Sequence, residues 1–162
     1  MAAKDFIPQG YHTLTPSVVV NDAAKAMQFY TDAFGAKENY RLPMGDKIAH
    51  AEMEIEGSRF MLSDEMPDWG ALSPTSRGGS TGSMMVYVPD VDASIDRATK
   101  AGAKIVQPPE DQFWGDRTGA VQDPFGHKWM FSTHKEDVAP DEMERRGKQW
   151  VQDMQKRGGA TQ

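Results

Sequence analysis

Two hydrophobic periods take turns along this chain, and the same alternation runs twice. Thr13–Val20 (TLTPSVVV) is rich in β-branched residues and predicts a strand, which Pro16 confines to an edge or a strand start. In Ala23–Phe34 the apolar Ala23, Ala26, Met27, Tyr30 and Phe34 recur at helical spacing, with Asn21-Asp22 as a cap and Gly35 as a stop. Strand-like runs follow at Glu38–Leu42, Ile48–Ile55 and Ser58–Ser63. Within the second, Ala49, Ala51, Met53 and Ile55 take one face, and His50, Glu52 and Glu54 the other. Glu65–Ser80 is rich in Pro, Gly and Ser and reads as a connection, in which Trp69 is either a lid or, by default, a packing anchor. Gly82–Val88 is a strand, and Pro89-Asp90 caps a helix from Val91 to Ala101 that Gly102 ends. Lys104–Gln107 is a strand that Pro108-Pro109 should break. Arg117–Gln122 and Lys128–Thr133 flank the turn Asp123-Pro124-Phe125-Gly126 and form a hairpin. Pro140 starts a last helix, acidic in its first turn, with Met143, Gly147, Trp150, Val151 and Met154 along one side.

The second half echoes the first. Val18-Val19-Val20-Asn21-Asp22 returns as Val86-Tyr87-Val88-Pro89-Asp90, and each copy opens a helix ending in Gly-Ala-Lys, at Gly35-Ala36-Lys37 and Gly102-Ala103-Lys104. The predicted fold is α+β: two βαβββ modules forming curved mixed sheets around one cleft, with an extra C-terminal helix. The expected boundaries are an arm at 1–12, a first module at 13–64, a linker at 65–80, a second module at 81–134, and a helix and frayed tail at 135–162.

Composition narrows the partners. The 162 residues carry a net charge of −6, which argues against nucleic acid and anionic membranes, because both need a basic face. No apolar run approaches the length of a membrane span, and the first residues lack a signal peptide's apolar core, so the expected location is cytoplasmic. Cysteine is absent, so disulfides, thiol catalysis and thiolate metal sites are excluded together.

Candidate chemistry is sparse. Trp114-Gly115-Asp116-Arg117 sets an aromatic and two charges at the mouth of the hairpin, either as a polar ligand's anchor or as a core residue beside a surface ion pair. His50 and Glu52 share a strand face and form a candidate ligand or acid–base pair, against the plainer alternative of a solvated edge-strand face. His127 sits in a turn as a surface or hydrogen-bonding residue, and Ser63 and Ser83 lack a visible His/Asp relay. No glycine-rich strand-to-helix turn offers a nucleoside site, so methyl transfer is not supported.

The strings Val18–Gly35, Val86–Gly102 and Asp123–Phe131 (DPFGHKWMF) resemble the vicinal oxygen chelate superfamily of glyoxalase I, bleomycin-resistance proteins and extradiol dioxygenases. WGDR, DPFGHKW and THKEDV further resemble its PhnB-like branch, often labelled 3-demethylubiquinone methyltransferase-like. Metal-dependent members place His, Glu or Gln at four strand positions. The resemblance maps these onto Thr15, Met61, Ser83 and Met130. Neutral hydroxyls and thioethers are poor donors to a hard divalent cation, so the resemblance implies a pocket but neither metal nor cofactor.

Two functions follow as expectations. One is a metal-free binding protein for a small, partly apolar organic molecule, with Thr15, Met61, Ser83, Met85, Trp114, Arg117 and Met130 at the ligand. The other is a lyase, isomerase or dioxygenase of the same superfamily using His50 and Glu52, with or without an irregularly held metal. The resemblance and the apolar side of the last helix also imply a homodimer.

Overall fold

Each module begins with a short strand that hands the chain to a capped helix. The computed structural model describes residues 5–158. The first four residues of the expected arm and the last four of the expected tail lie outside that range. Strand β1 (Ser17–Val20) leads to helix α1 (Ala23–Phe34), where the Asp22 carboxylate accepts from the Lys25 amide at 3.0 Å. Gly35, at φ 69°, ends the helix in a left-handed turn that a side chain would strain. Strands β2 (Lys37–Met44), β3 (Lys47–Ile55) and β4 (Ser58–Asp64) complete a sheet of order β1-β4-β3-β2, with β1 parallel to β4.

A 3-10 turn (Pro67–Trp69) and a short helix α2 (Pro74–Arg77) then carry the chain across. The second module repeats the plan with β5 (Ser83–Tyr87), α3 (Val91–Lys100), β6 (Lys104–Asp111), β7 (Asp116–Gln122) and β8 (Lys128–His134). Its order is β5-β8-β7-β6, and Asp90 caps α3 as Asp22 caps α1. Helix α4 (Pro140–Gly158) follows and rests Gly147 and Trp150 on Phe113.

The helix-side faces of both sheets merge into one core. From the first module come Val18, Val20, Met27, Tyr30, Phe34, Met53, Phe60 and Leu62; from the second, Val91, Ile95, Val121, Trp129 and Phe131. Trp129 is the seam: its ring lies 5.3 Å from Tyr30, 4.7 Å from Phe34 and 5.7 Å from Phe60. The buried Asp123 carboxylate joins the halves, accepting from Tyr30 Oη and Trp129 Nε1, both at 2.9 Å. Burial, then the Asp123 charge, hold the Tyr30 hydroxyl's pKa well above its ordinary value. His127 closes the join from β8's side, its Nε2 donating to the Val19 carbonyl at 2.9 Å. With the inner faces spent on this core, the opposite face of each sheet is turned outward.

Four expectations need correction. Pro108-Pro109 does not break its strand: β6 runs through both prolines, with register shifts between Ile105 and Gln107 and between Gln107 and Glu110. An edge strand has one free side, so the missing amide hydrogens cost no ladder bond there. The connection contains helix α2, because Pro74 stands at its first turn and the Ser73 hydroxyl accepts from the Ser76 amide. Trp69 packs on little and is 78% exposed. Strand β3 lies between β4 and β2, so His50, Glu52 and Glu54 occupy an interior strand, not an edge.

Candidate ligand-binding site

The outward face of the first sheet is set by the strict alternation of β3. Glu52 pairs across to Met61 on β4 and to Tyr40 on β2; Glu54 pairs to Arg59, and Leu42 to His50. The N-terminal segment folds over this face. Tyr11 stacks on Arg59, whose guanidinium carbon lies 4.8 Å from the ring centroid. Gly10 lets the segment lie flat there, since a Cβ would stand 2.9 Å from the Arg59 guanidinium.

Between segment and sheet is a cavity of about 440 Å³, lined by Phe6, Ile7, Tyr11, Thr15, Glu52 and Met61 among others. Thr15 and Met61, two positions picked out by resemblance, therefore meet here, together with the Glu52 of the proposed acid–base pair. His50 Nε2 lies 3.4 Å from Glu52 Oε1, and Arg59 lies 4.0 Å from Glu52 and 3.7 Å from Glu54. These charges are close, but none closes a short ion pair. The buried Tyr11 hydroxyl faces Glu52 without closing a hydrogen bond. The Tyr11 hydroxyl beside it, against the upward push of burial, and then His50 and Arg59 hold the Glu52 carboxyl below the usual range, so it is ionised at neutral pH.

The remaining expected residues fall elsewhere. Ser83 and Met130 are neighbours on the second sheet's outward face, Ser83 Oγ lying 4.0 Å from Met130 Sδ. Met85 lines a second cavity of about 460 Å³ with Leu14, Phe60, Tyr87 and Trp129. Trp114 packs edge-on to Phe113 at 5.1 Å. Arg117 points to the helix side, bonded to Asp92 at 2.6 and 2.9 Å and to Asp111 at 3.1 Å, so its charge is already matched. Asp116 and Arg117 are no pair, because adjacent strand residues face opposite ways.

Asp116 is the main residue that sequence reasoning undervalued. It is 5% exposed and lies on the outward face opposite His134. Oδ2 accepts from Ser132 Oγ at 2.8 Å and from Tyr87 Oη at 3.3 Å; Oδ1 accepts from His134 Nδ1 at 2.8 Å. Burial pushes this carboxyl up, but hydrogen bonds from His134 and Ser132 outweigh it and bring the pKa below the ordinary value. Thr118, fully buried beside it, keeps a hydroxyl with no partner. The available signal was the two-residue period: Asp116, Thr118 and Ala120 share one face, and Ser132 and His134 belong to the same face of the facing strand.

The four mapped cation positions do not fit a metal. Thr15 offers only a neutral hydroxyl, which donates to the His12 carbonyl at 3.2 Å, Ser83 faces a thioether, and Met61 and Met130 offer only soft sulfur. Among the described residues, no three His, Asp or Glu side chains gather as a metal site. None of the described helices is long and apolar enough to cross a membrane.

Comparison with known proteins adds the relatives. Residues 11–131 match the model of the Glyoxalase/Bleomycin resistance protein/Dioxygenase superfamily. An uncharacterized protein of Mycobacterium tuberculosis is 44% identical over 135 residues, covering 81% of this chain and 79% of its own. TioX from Micromonospora sp. ML1 superposes with a TM-score of 0.59 at 31% identity, over 76% of this chain and 98% of its own. A PhnB protein from Bacillus cereus shares the fold at 18% identity, with a TM-score of 0.57 over 75% of this chain and 99% of its own.

Proposed function

Since this chain belongs to the glyoxalase/bleomycin-resistance/dioxygenase superfamily, we propose that it is a small-molecule-binding protein that holds an amphiphilic organic compound on the outward face of its first sheet, without the superfamily's cation. The observation that carries this is the cavity under the N-terminal segment. Its volume of about 440 Å³ falls in the range of small-molecule sites. Its wall is apolar at Phe6, Ile7, Pro8 and Met61 and carries one ionised carboxylate, Glu52. Arg59 lies 3.7 Å from Glu54, whose cross-strand neighbour is Lys37, and only 4.0 Å from Glu52, so Glu52 is the loosely matched charge of the cavity. A ligand with an apolar body and a protonated amine or N–H-rich head suits that wall; a toxin or antibiotic of this chemistry would be sequestered.

The working unit in this reading is a homodimer. Tyr40, Leu42 and Met44 on the first sheet, and Trp150, Val151 and Met154 on α4, are each about half exposed, which leaves apolar surface for a second copy. Light scattering at micromolar concentration should give twice the chain mass, and a monomer there counts against it.

Thermal shift with matched cationic, neutral and anionic aromatic amphiphiles tests the binding. The cationic series should raise the melting temperature in a concentration-dependent way, EDTA should leave the shift unchanged, and Glu52→Gln should erase the preference for cations. A metal in stoichiometric amount by elemental analysis, lost together with binding or turnover in His50→Ala, would replace this reading by the enzymatic one.

A further inference from the structure

The outward face of the second sheet carries chemistry that the binding site above does not use. Its residues form two bands. Met85, Met130 and Ala120 stand side by side across β5, β8 and β7, and make an apolar strip. Next to it, Tyr87, Ser132 and Thr118 form a hydroxyl row, followed by the facing pair His134 and Asp116. Three side chains converge on the buried Asp116 carboxylate, and two of them, Tyr87 and His134, remain open to solvent; the His134 side chain is 53% exposed.

From this juxtaposition we infer that His134, oriented by Asp116, is a general base for a weakly acidic substrate whose apolar body lies on the Met85–Met130 strip and whose polar head reaches Tyr87. The carboxylate has no proton to donate, so the 2.8 Å contact keeps a proton on Nδ1, and when the ring is neutral the lone pair is on Nε2. Nε2 now faces the Asp137 carboxylate at 3.0 Å, to which it donates while the ring is the imidazolium; Asp137 is fully exposed, so a substrate displaces this contact at small cost, and the base acts once the ring has lost its Nε2 proton. Ser132 and Tyr87 satisfy the other carboxylate oxygen, which keeps Asp116 from turning away. His134 is a catalytic residue in this proposal, and Asp116 a positioning one. The step is a plain proton transfer: the substrate's C–H or O–H bond breaks, its electron pair stays on the substrate, and the proton moves to Nε2 and then to buffer. Tyr87 and Met85 also line the second cavity. The proposal is independent of what the first sheet binds.

A neutral carbon acid, 5-nitrobenzisoxazole, is the probe. Loss of its ring C–H proton to Nε2 sends the C–H electron pair into a nitrile, breaks the N–O bond and releases a coloured phenolate, with no oxidant or second reactant. At a pH above the raised His134 value, where the ring is neutral, the full chain should release phenolate about 10²-fold faster than the same concentration of free imidazole. His134→Gln should bring the rate to the imidazole level, and Asp116→Asn should lower it about tenfold while leaving the circular-dichroism spectrum unchanged. Ring ¹⁵N shifts give a readout independent of the probe: neutral His134 should carry its proton on Nδ1, and Asp116→Asn should mix the tautomers. A wild-type rate no greater than that of imidazole, an unchanged rate in His134→Gln, or a wild-type Nε2–H tautomer would each overturn the assignment.

Discussion

The two sheets share a strand order and differ in what they show the solvent. On the first, Glu52, Glu54, Arg59 and His50 lie 3.4–4.0 Å apart and leave a gap that the N-terminal segment roofs. On the second, the equivalent outward face is stitched around one carboxylate by contacts of 2.8–3.3 Å. On the inner side the modules are alike, because both helices must bury an apolar stripe against a sheet and both stripes feed one core. The two modules thus share the face that folding needs and differ on the other. Loosely arranged charges around a hollow suit binding, whereas a carboxylate held by three donors suits precise placement of one side chain.

The sharpest way to break this picture is at the seam. Trp129→Ala removes the ring shared by the two modules, at a residue 2% exposed, and frees the Asp123 carboxylate of a donor. A loss of about 3–5 kcal/mol in urea-monitored stability is expected. If the two halves then melt separately, the shared core is what couples them.

Gly115→Ala comes next. Gly115 has φ 97°, and an added Cβ would strike the Glu136 carbonyl, where the chain leaves β8 for α4. Strain and clash together should cost at least about 1 kcal/mol, and hydrogen exchange should quicken in α4 before either sheet. An unchanged exchange pattern would mean that this contact does not dock the helix.

Acidity and alkalinity sharpen the contrast between the outward faces. Asp116 has a lowered pKa, so its contribution is present above the ordinary carboxylate value and is lost as pH falls through the depressed one. The His134 pKa is raised by its hydrogen bonds to Asp116 and Asp137, so its contribution is complete below the ordinary imidazole value and is lost as pH rises through the raised one. Between those limits the pair is charged. In Asp116→Asn, urea midpoints measured across pH should show both limbs weakened, the alkaline one keeping only the Asp137 share, whereas Glu52→Gln should leave the alkaline limb intact.

The smallest effect tests the linker. Trp69→Ala should change stability by no more than about 0.5 kcal/mol, because the ring is largely in water. A loss comparable with that of Trp129 would show that it is covered in solution, by a second copy or by a ligand.

Residue periodicity alone determined the two-module plan. The caps Asp22 and Asp90, the stop at Gly35 and the strict alternation of Ala49–Ile55 are local signals, and each is read from neighbours in sequence. The same period placed His50 and Glu52 on one face, and the family resemblance mapped two of the superfamily's corner positions onto Thr15 and Met61. Only the tertiary structure decided which face was hollow and which was closed. Asp116 and His134 meet because β7 and β8 pair in one register, and Tyr87 joins them from a parallel strand far away in sequence. Likewise, nothing local shows that residues around Tyr11 roof a cavity or that Arg117 is taken up by Asp92. Propensity and periodicity act over a few residues, whereas a site is made by strands that come together only when the core forms.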